Sequence, residues 1–99
     1  MSFFQYPQTK GWKNATSGLT GLGIGCRLKD VVVSCSTGAQ VDFYDGVSVA
    51  GTYKFSIIVS TNAPTTPYDC GDGIEFATSL FWTSSASVDV TVQGEGNFN

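Results

Sequence analysis

Hydrophobic and polar positions alternate along much of this chain with a period of two. The clearest run sets Val88, Val90 and Val92 between Asp89, Thr91 and Gln93, the pattern of a strand with one buried face. Tyr53, Phe55, Ile57 and Val59 alternate in the same way with Lys54, Ser56, Ile58 and Ser60, where Ile58 is an aliphatic residue on the polar side. Val41 and Phe43 alternate with Gln40, Asp42 and Tyr44, and Asp45-Gly46 then signals a tight turn, so a hairpin is predicted. Residues 24–35 end in Val31, Val32 and Val33, a run too continuous for a sheet with one wet face, and both faces are expected to be covered there. Residues 61–73 contain Asn62, Pro64, Pro67, Gly71 and Gly73 and read as a long connection between sheets. Residues 74–76 and 80–83 flank small residues and predict two short strands or one bulged strand. The weakly helical window 75–80 runs directly into Phe81, Trp82 and Thr83, which favour strands.

Six to eight short strands punctuated by turn signals predict an all-β fold: a single antiparallel β-sandwich or jelly-roll-like barrel over residues 23–99. Residues 1–22 lack a sustained period. They open with Phe3, Phe4, Tyr6 and Trp12, continue through Gly11, Gly18 and Gly21, and read as an extended N-terminal arm. Exposed rings on a free tail promote aggregation, so the arm is expected to pack on a surface. Phe3, Phe4, Tyr6, Lys10, Trp12 and Lys13 are the candidate partner-binding residues of the arm. Val31, Val32, Val33 and Ile58 are the candidates on the sheet. On this reading, removing residues 2–18 leaves a folded, soluble sandwich whose attachment is strongly reduced.

Composition sharpens the picture. Ninety-nine residues make one domain with a modest core, to which burial against partners would add. Charge is uneven: Lys10, Lys13, Arg27 and Lys29 give the first 29 residues about +4, and the remainder, with Lys54 against all eight acids, carries about −7. Scattered basic residues without a cluster are a poor footprint for phosphate, so no nucleic-acid partner is expected. The opening residues have neither a basic segment nor a long apolar stretch. Synthesis in the cytoplasm and no membrane association are therefore expected.

The chain has no histidine, which removes the commonest general base and imidazole ligands and leaves carboxylates and thiols to supply any chemistry. Cys26, Cys35 and Cys70 contain no C-x-x-C pair, and no metal or other cofactor is expected. Asp42 with Asp45 and Asp69 with Asp72 and Glu75 could offer oxygens to calcium or a carboxylate pair to a glycoside. Asp before Gly is, however, what a tight β-turn selects, and neither cluster has EF-hand spacing. Asn14-Ala15-Thr16 matches a glycosylation acceptor by letters. Gly21-Leu22-Gly23-Ile24-Gly25 lacks the features of a phosphate loop and reads as a flexible joint. Trp12, Tyr44, Phe81 and Trp82 could stack on a sugar, although strand aromatics more often fill a core or an interface. No enzymatic activity is expected.

The hairpin Ala39-Gln40-Val41-Asp42-Phe43-Tyr44-Asp45-Gly46, the stretch Gly73-Ile74-Glu75-Phe76-Ala77-Thr78-Ser79-Leu80-Phe81 and Val88-Asp89-Val90-Thr91-Val92 together resemble a family. It comprises small virion proteins of tailed phages: capsid cement or decoration proteins and similar β-domains of the neck and tail. Members often have Gly where this chain has Ser79, and many begin nearer the first strand. The resemblance implies a β-sandwich or jelly-roll-like unit, commonly a homotrimer, attached to the head surface or the head–tail apparatus. It implies a cement protein that bridges major-capsid subunits in the virion. The alternative is a neck, tail or head-fibre module that binds other virion proteins or a host-surface glycan.

Overall fold

A computed structural model describes residues 8–61 and 65–98, and these form six strands without a helix. In chain order they are β1 (Gln8–Thr20), β2 (Cys26–Ser34), β3 (Ala39–Asp45), β4 (Thr52–Val59), β5 (Thr65–Phe76) and β6 (Leu80–Gly96). All pairings are antiparallel. The sheet runs β4-β3-β6-β2-β5, with β1 on the remaining edge of β6.

The organising element is β6, at 17 residues. Straight, it would span roughly 55 Å at about 3.3 Å per residue. Yet Thr20 lies opposite Leu80 and Cys26 lies opposite Gly96, at its two ends, and the five intervening residues, 21–25, reach at most about 20 Å. The strand therefore doubles back, and the sheet curls into two facing halves. Residues 80–84 of β6 pair with β1 and β3 in one half, and residues 88–96 pair with β1 and β2 in the other.

The corner is made of small residues, Ser84, Ser85, Ala86 and Ser87. β1 follows it through register shifts on either side of Ala15, with Asn14 at a φ of 50° and its N–H donating to Asp89 Oδ1 at 2.9 Å. The link from β2 to β3 turns at the same place: the Gln40 N–H donates to Ser85 Oγ at 3.0 Å, and the Cys35 thiol donates to the Ser87 carbonyl at 3.5 Å.

The core lies between the halves. Val41, Phe43, Ile57, Val59, Leu80 and Trp82 face Leu28, Val31, Val33, Phe76, Val88, Val90 and Val92, with Phe98 closing one side. Alternation alone would not bury both Leu28 and Val31. A bulge at Lys29, where Leu28 faces Gly94 but Asp30 faces Gln93, shifts the phase by one residue.

Several expectations change here. The part of the expected arm within the described residues, 8–20, is a sheet strand, because its hydrogen bonds go to β6 along its length. The expected connection 61–73 is largely β5. Pro67 and the positive-φ Gly71 and Gly73 are tolerated because β5 is an outer strand with a bulge at residues 70–73. Val32 is not covered on its outer side: it is 38% exposed, flanked across the sheet by Pro67 and Thr91. The two short strands expected from residue 74 onward fall on either side of a turn, in β5 and β6.

Candidate association surfaces

Two aromatic contacts close the gap between the halves. On the β1 side, Trp12 meets Trp82 edge to face at 5.5 Å, above Gly18; a Cβ at Gly18 would lie 2.6 Å from Cε2 of Trp12 and closer still to Nε1 of Trp82. Lys10 lays its ammonium 6.0 Å from the Trp12 ring centre. On the other side, Phe43, Phe55 and Tyr68 stack in succession at 4.6 and 5.0 Å, joining β3, β4 and β5.

These contacts redistribute the sequence candidates. Trp12 is half-buried and packs against its own domain's core. Lys13 is exposed, while Phe3, Phe4 and Tyr6 lie outside the described residues. Val31 and Val33 are buried in the core and have no outer surface to offer; Val32 and Ile58, the latter 71% exposed, do. Two of the early basic residues are met within the chain, Arg27 by Glu75 and Lys29 by Glu95, each at 4.0 Å.

The outer face of the β1-β6-β3-β4 half carries an apolar row. Leu19 opposes Phe81, Phe81 opposes Tyr44, and Tyr44 opposes Tyr53, with ring contacts at 6.3 and 5.8 Å. A bulge at Lys54 puts Tyr53 there, since Phe43 faces Phe55 but Tyr44 faces Tyr53. Alternation predicted Tyr53 on the inner side, and the bulge reverses it. Beside the row runs a polar chain: the Tyr53 and Ser56 hydroxyls are bonded at 2.6 Å, the Ser56 hydroxyl donates to Asp42 Oδ1, and Gln40 Nε2 donates to the same oxygen at 2.9 Å. Ile58 lies on this face, opposite Gln40.

The carboxylates expected at turns act as structural acceptors. Asp45 takes the N–H groups of Ala77, Thr78 and Ser79 at 3.0, 2.9 and 3.3 Å, holding the β5–β6 turn from the end of β3. Partial burial raises the Asp45 pKa, but those three N–H groups, helped by Lys54, outweigh it and keep the carboxyl below its ordinary value. Asp69 accepts the Gly71 N–H within its own bulge. Among the described residues no group of three acids or thiols is arranged to hold a metal.

Cys26 opens β2 and Cys35 follows its last residue, so the two thiols sit at opposite ends of one strand and stay unlinked. Burial, with Asp45 nearby, pushes the Cys26 thiol up to about 12. Burial, with Asp30 and Asp69, pushes Cys70 up to about 11. Neither favours the thiolate that a nucleophile or metal ligand requires.

A second apolar surface lies at one end of the molecule. The loops 21–25 and 46–51 leave β1 and β3 on either side of Leu80, about 10 Å apart at two strand spacings. They expose Leu22, Ile24, Val47 and Val49 by 62, 69, 56 and 62%. Among the described residues of the opposite end, Ser36, Thr37, Ser60, Thr61 and Ser85 are polar. Sequence reading took the first loop as a joint, although aliphatics alternating with glycines in a turn segment were a signal of outward display. No protein-family model matches the chain, and no curated protein matches it significantly.

Proposed function

We propose that this chain is a non-enzymatic structural subunit of a tailed-phage virion, a cement or decoration protein that docks on major-capsid subunits through the outer face of its β1-β6-β3-β4 half. The observation that carries the reading is the row Leu19, Phe81, Tyr44 and Tyr53 with Ile58, an apolar ridge across four strands on the face turned away from the buried core. Ridges of this kind supply the aromatic anchors of protein interfaces. As a homotrimer, the unit would multiply modest contacts through avidity. Substituting Ile58→Asp together with Tyr53→Asp should leave the circular-dichroism melt unchanged and lower the copy number per purified particle at least tenfold. Particles lacking the protein should lose heat and osmotic tolerance with tail composition unaltered. Normal incorporation of the double variant, or unchanged tolerance without the protein, overturns the reading.

One observation favours a second reading, a head-fibre or tail module for a host-surface glycan. Tyr53 is 55% exposed beside the Ser56, Asp42 and Gln40 chain, pairing a stacking ring with fixed polar groups as sugar recognition requires. Glycan-array binding lost on Asp42→Ala would favour it over docking on the capsid.

A further inference from the structure

We infer that the loop end of the sandwich is a self-association surface whose occupant is a second copy of this chain. The inference rests on the reading of the protein as an assembling subunit, but uses a surface distinct from the outer ridge.

Both loops are built to hold aliphatic side chains outward. In the first, Gly21, Gly23 and Gly25 all have positive φ, and the Gly25 N–H donates to the Gly21 carbonyl at 2.8 Å. This closure displays Leu22 and Ile24 between the glycines. In the second, the Ser48 hydroxyl accepts the Ala50 N–H at 3.1 Å and the Ser48 carbonyl accepts the Gly51 N–H at 3.0 Å, while the Gly46 N–H donates to the Ser79 carbonyl at 3.0 Å. Val47 and Val49 stand on this closed loop. Loops already fixed by internal hydrogen bonds lose little freedom on binding, so the display is preorganised.

Beside the projections lies a receptor for them. An open cleft of about 280 Å³ is floored by Cys26 and Phe76, edged by Ile24, and rimmed by Arg27, Glu75 and Glu95. Arg27 lies between the two glutamates across the sheet, and its contact with Glu75 is 4.0 Å long with the side chains 45% and 70% exposed, a weak surface pair that costs little to rearrange. Projection and cleft thus share one end, and the rim carries both signs of charge. A second copy meets this rim with Arg27 toward Glu75 and aliphatic side chains toward the cleft, whereas a partner of a single sign is opposed by part of it. An anionic bilayer is further disfavoured by Glu75, Glu95 and the net charge of −3.

Sedimentation velocity of the purified full-length chain over a hundredfold concentration range tests this. The wild type should form a reversible oligomer, and Leu22→Asp/Val49→Asp, or the milder Leu22→Ser/Val49→Ser, should weaken it at least tenfold without altering the thermal melt. Arg27→Glu should also weaken it, with recovery on adding Glu75→Arg. The ridge variant Ile58→Asp/Tyr53→Asp should still assemble, which separates this surface from the one proposed to meet the capsid. A wild type that stays monomeric throughout, or loop variants that assemble normally, overturns the inference. Monomers that float with phosphatidylcholine vesicles through Leu22 and Val49 would overturn it in favour of a lipid.

Discussion

The two sides of the sandwich solve one problem differently. On the β1 side, a strand hydrogen-bonded to β6 along both halves carries the sheet around the corner, and Trp12 with Trp82 fills the remaining space over Gly18. On the β4–β5 side no backbone ladder joins the two strands among the described residues, and the Phe43, Phe55 and Tyr68 stack spans the gap. A continuous ladder fixes position through many directional bonds, while stacked rings contribute area and tolerate sliding. The β1 side is therefore the rigid hinge and the β4–β5 side the yielding seam.

The largest effect should come from removing the hinge. Deleting residues 2–18 strips one edge of β6 and takes Trp12 out of the core, so the product should lack a cooperative thermal transition by circular dichroism. This reverses the outcome expected of a detachable arm. A folded truncation would show that the seam and the remaining pairings suffice. Next, Gly18→Val forces branched carbons into the Trp12–Trp82 contact. It should cost about 1–3 kcal/mol, a fall of roughly 4–8 °C in melting temperature for each kcal/mol.

At the seam, Phe55→Ala should cost about 2 kcal/mol, below the range for a fully buried Phe because the ring is half-buried. Tyr68→Ala should cost about 1 kcal/mol, since the ring is 37% exposed. The double variant should reveal a coupling of about 0.5–1.5 kcal/mol in chemical-denaturation cycles if the rings stabilise one another. Additive losses would reduce the stack to independent burial.

The smallest effect belongs to Asp45, the polar tie across the loop end. Its carboxyl is held below the ordinary value in the folded state, so as pH falls the unfolded chain takes up the proton first. Stability from this group is complete above the unfolded pKa near 3.8 and is lost as pH drops toward the folded value. Asp45→Asn should flatten that acid limb in denaturation midpoints measured between pH 5 and 2. An unchanged limb would assign acid sensitivity to other groups.

The all-β class, the β3–β4 hairpin and the strand at Val88, Val90 and Val92 were legible because each buries alternate residues without interruption. β1 was not, because Gly11 and Gly18 leave gaps in its pattern and shifts around Ala15 reset its phase, so one large inward ring remained to mark a strand. β5 was hidden by Pro67, Gly71 and Gly73, residues that mark turns in an interior strand but are permitted on an outer one. Ile58 stood out correctly as an aliphatic residue on a polar face. The ridge and the loop end escaped, since the first depends on a bulge at Lys54 and the second on loops distant in sequence meeting at Leu80.

The doubled course of β6 also sets the order in which this protein can be made. β1, β2 and β3 all hydrogen-bond to residues 80–96. A ribosome that has emitted the first 79 residues has therefore delivered three strands whose shared partner does not yet exist. Pairing must span most of the chain, from Gln8 to Gly94, a topology whose closure is slow, on the order of milliseconds to seconds. Until then only the β3–β4 and β2–β5 pairs and the Phe43, Phe55 and Tyr68 stack can form, and the valines of β2 lack the central strand that joins the two pairs into one sheet, which leaves apolar surface open to aggregation.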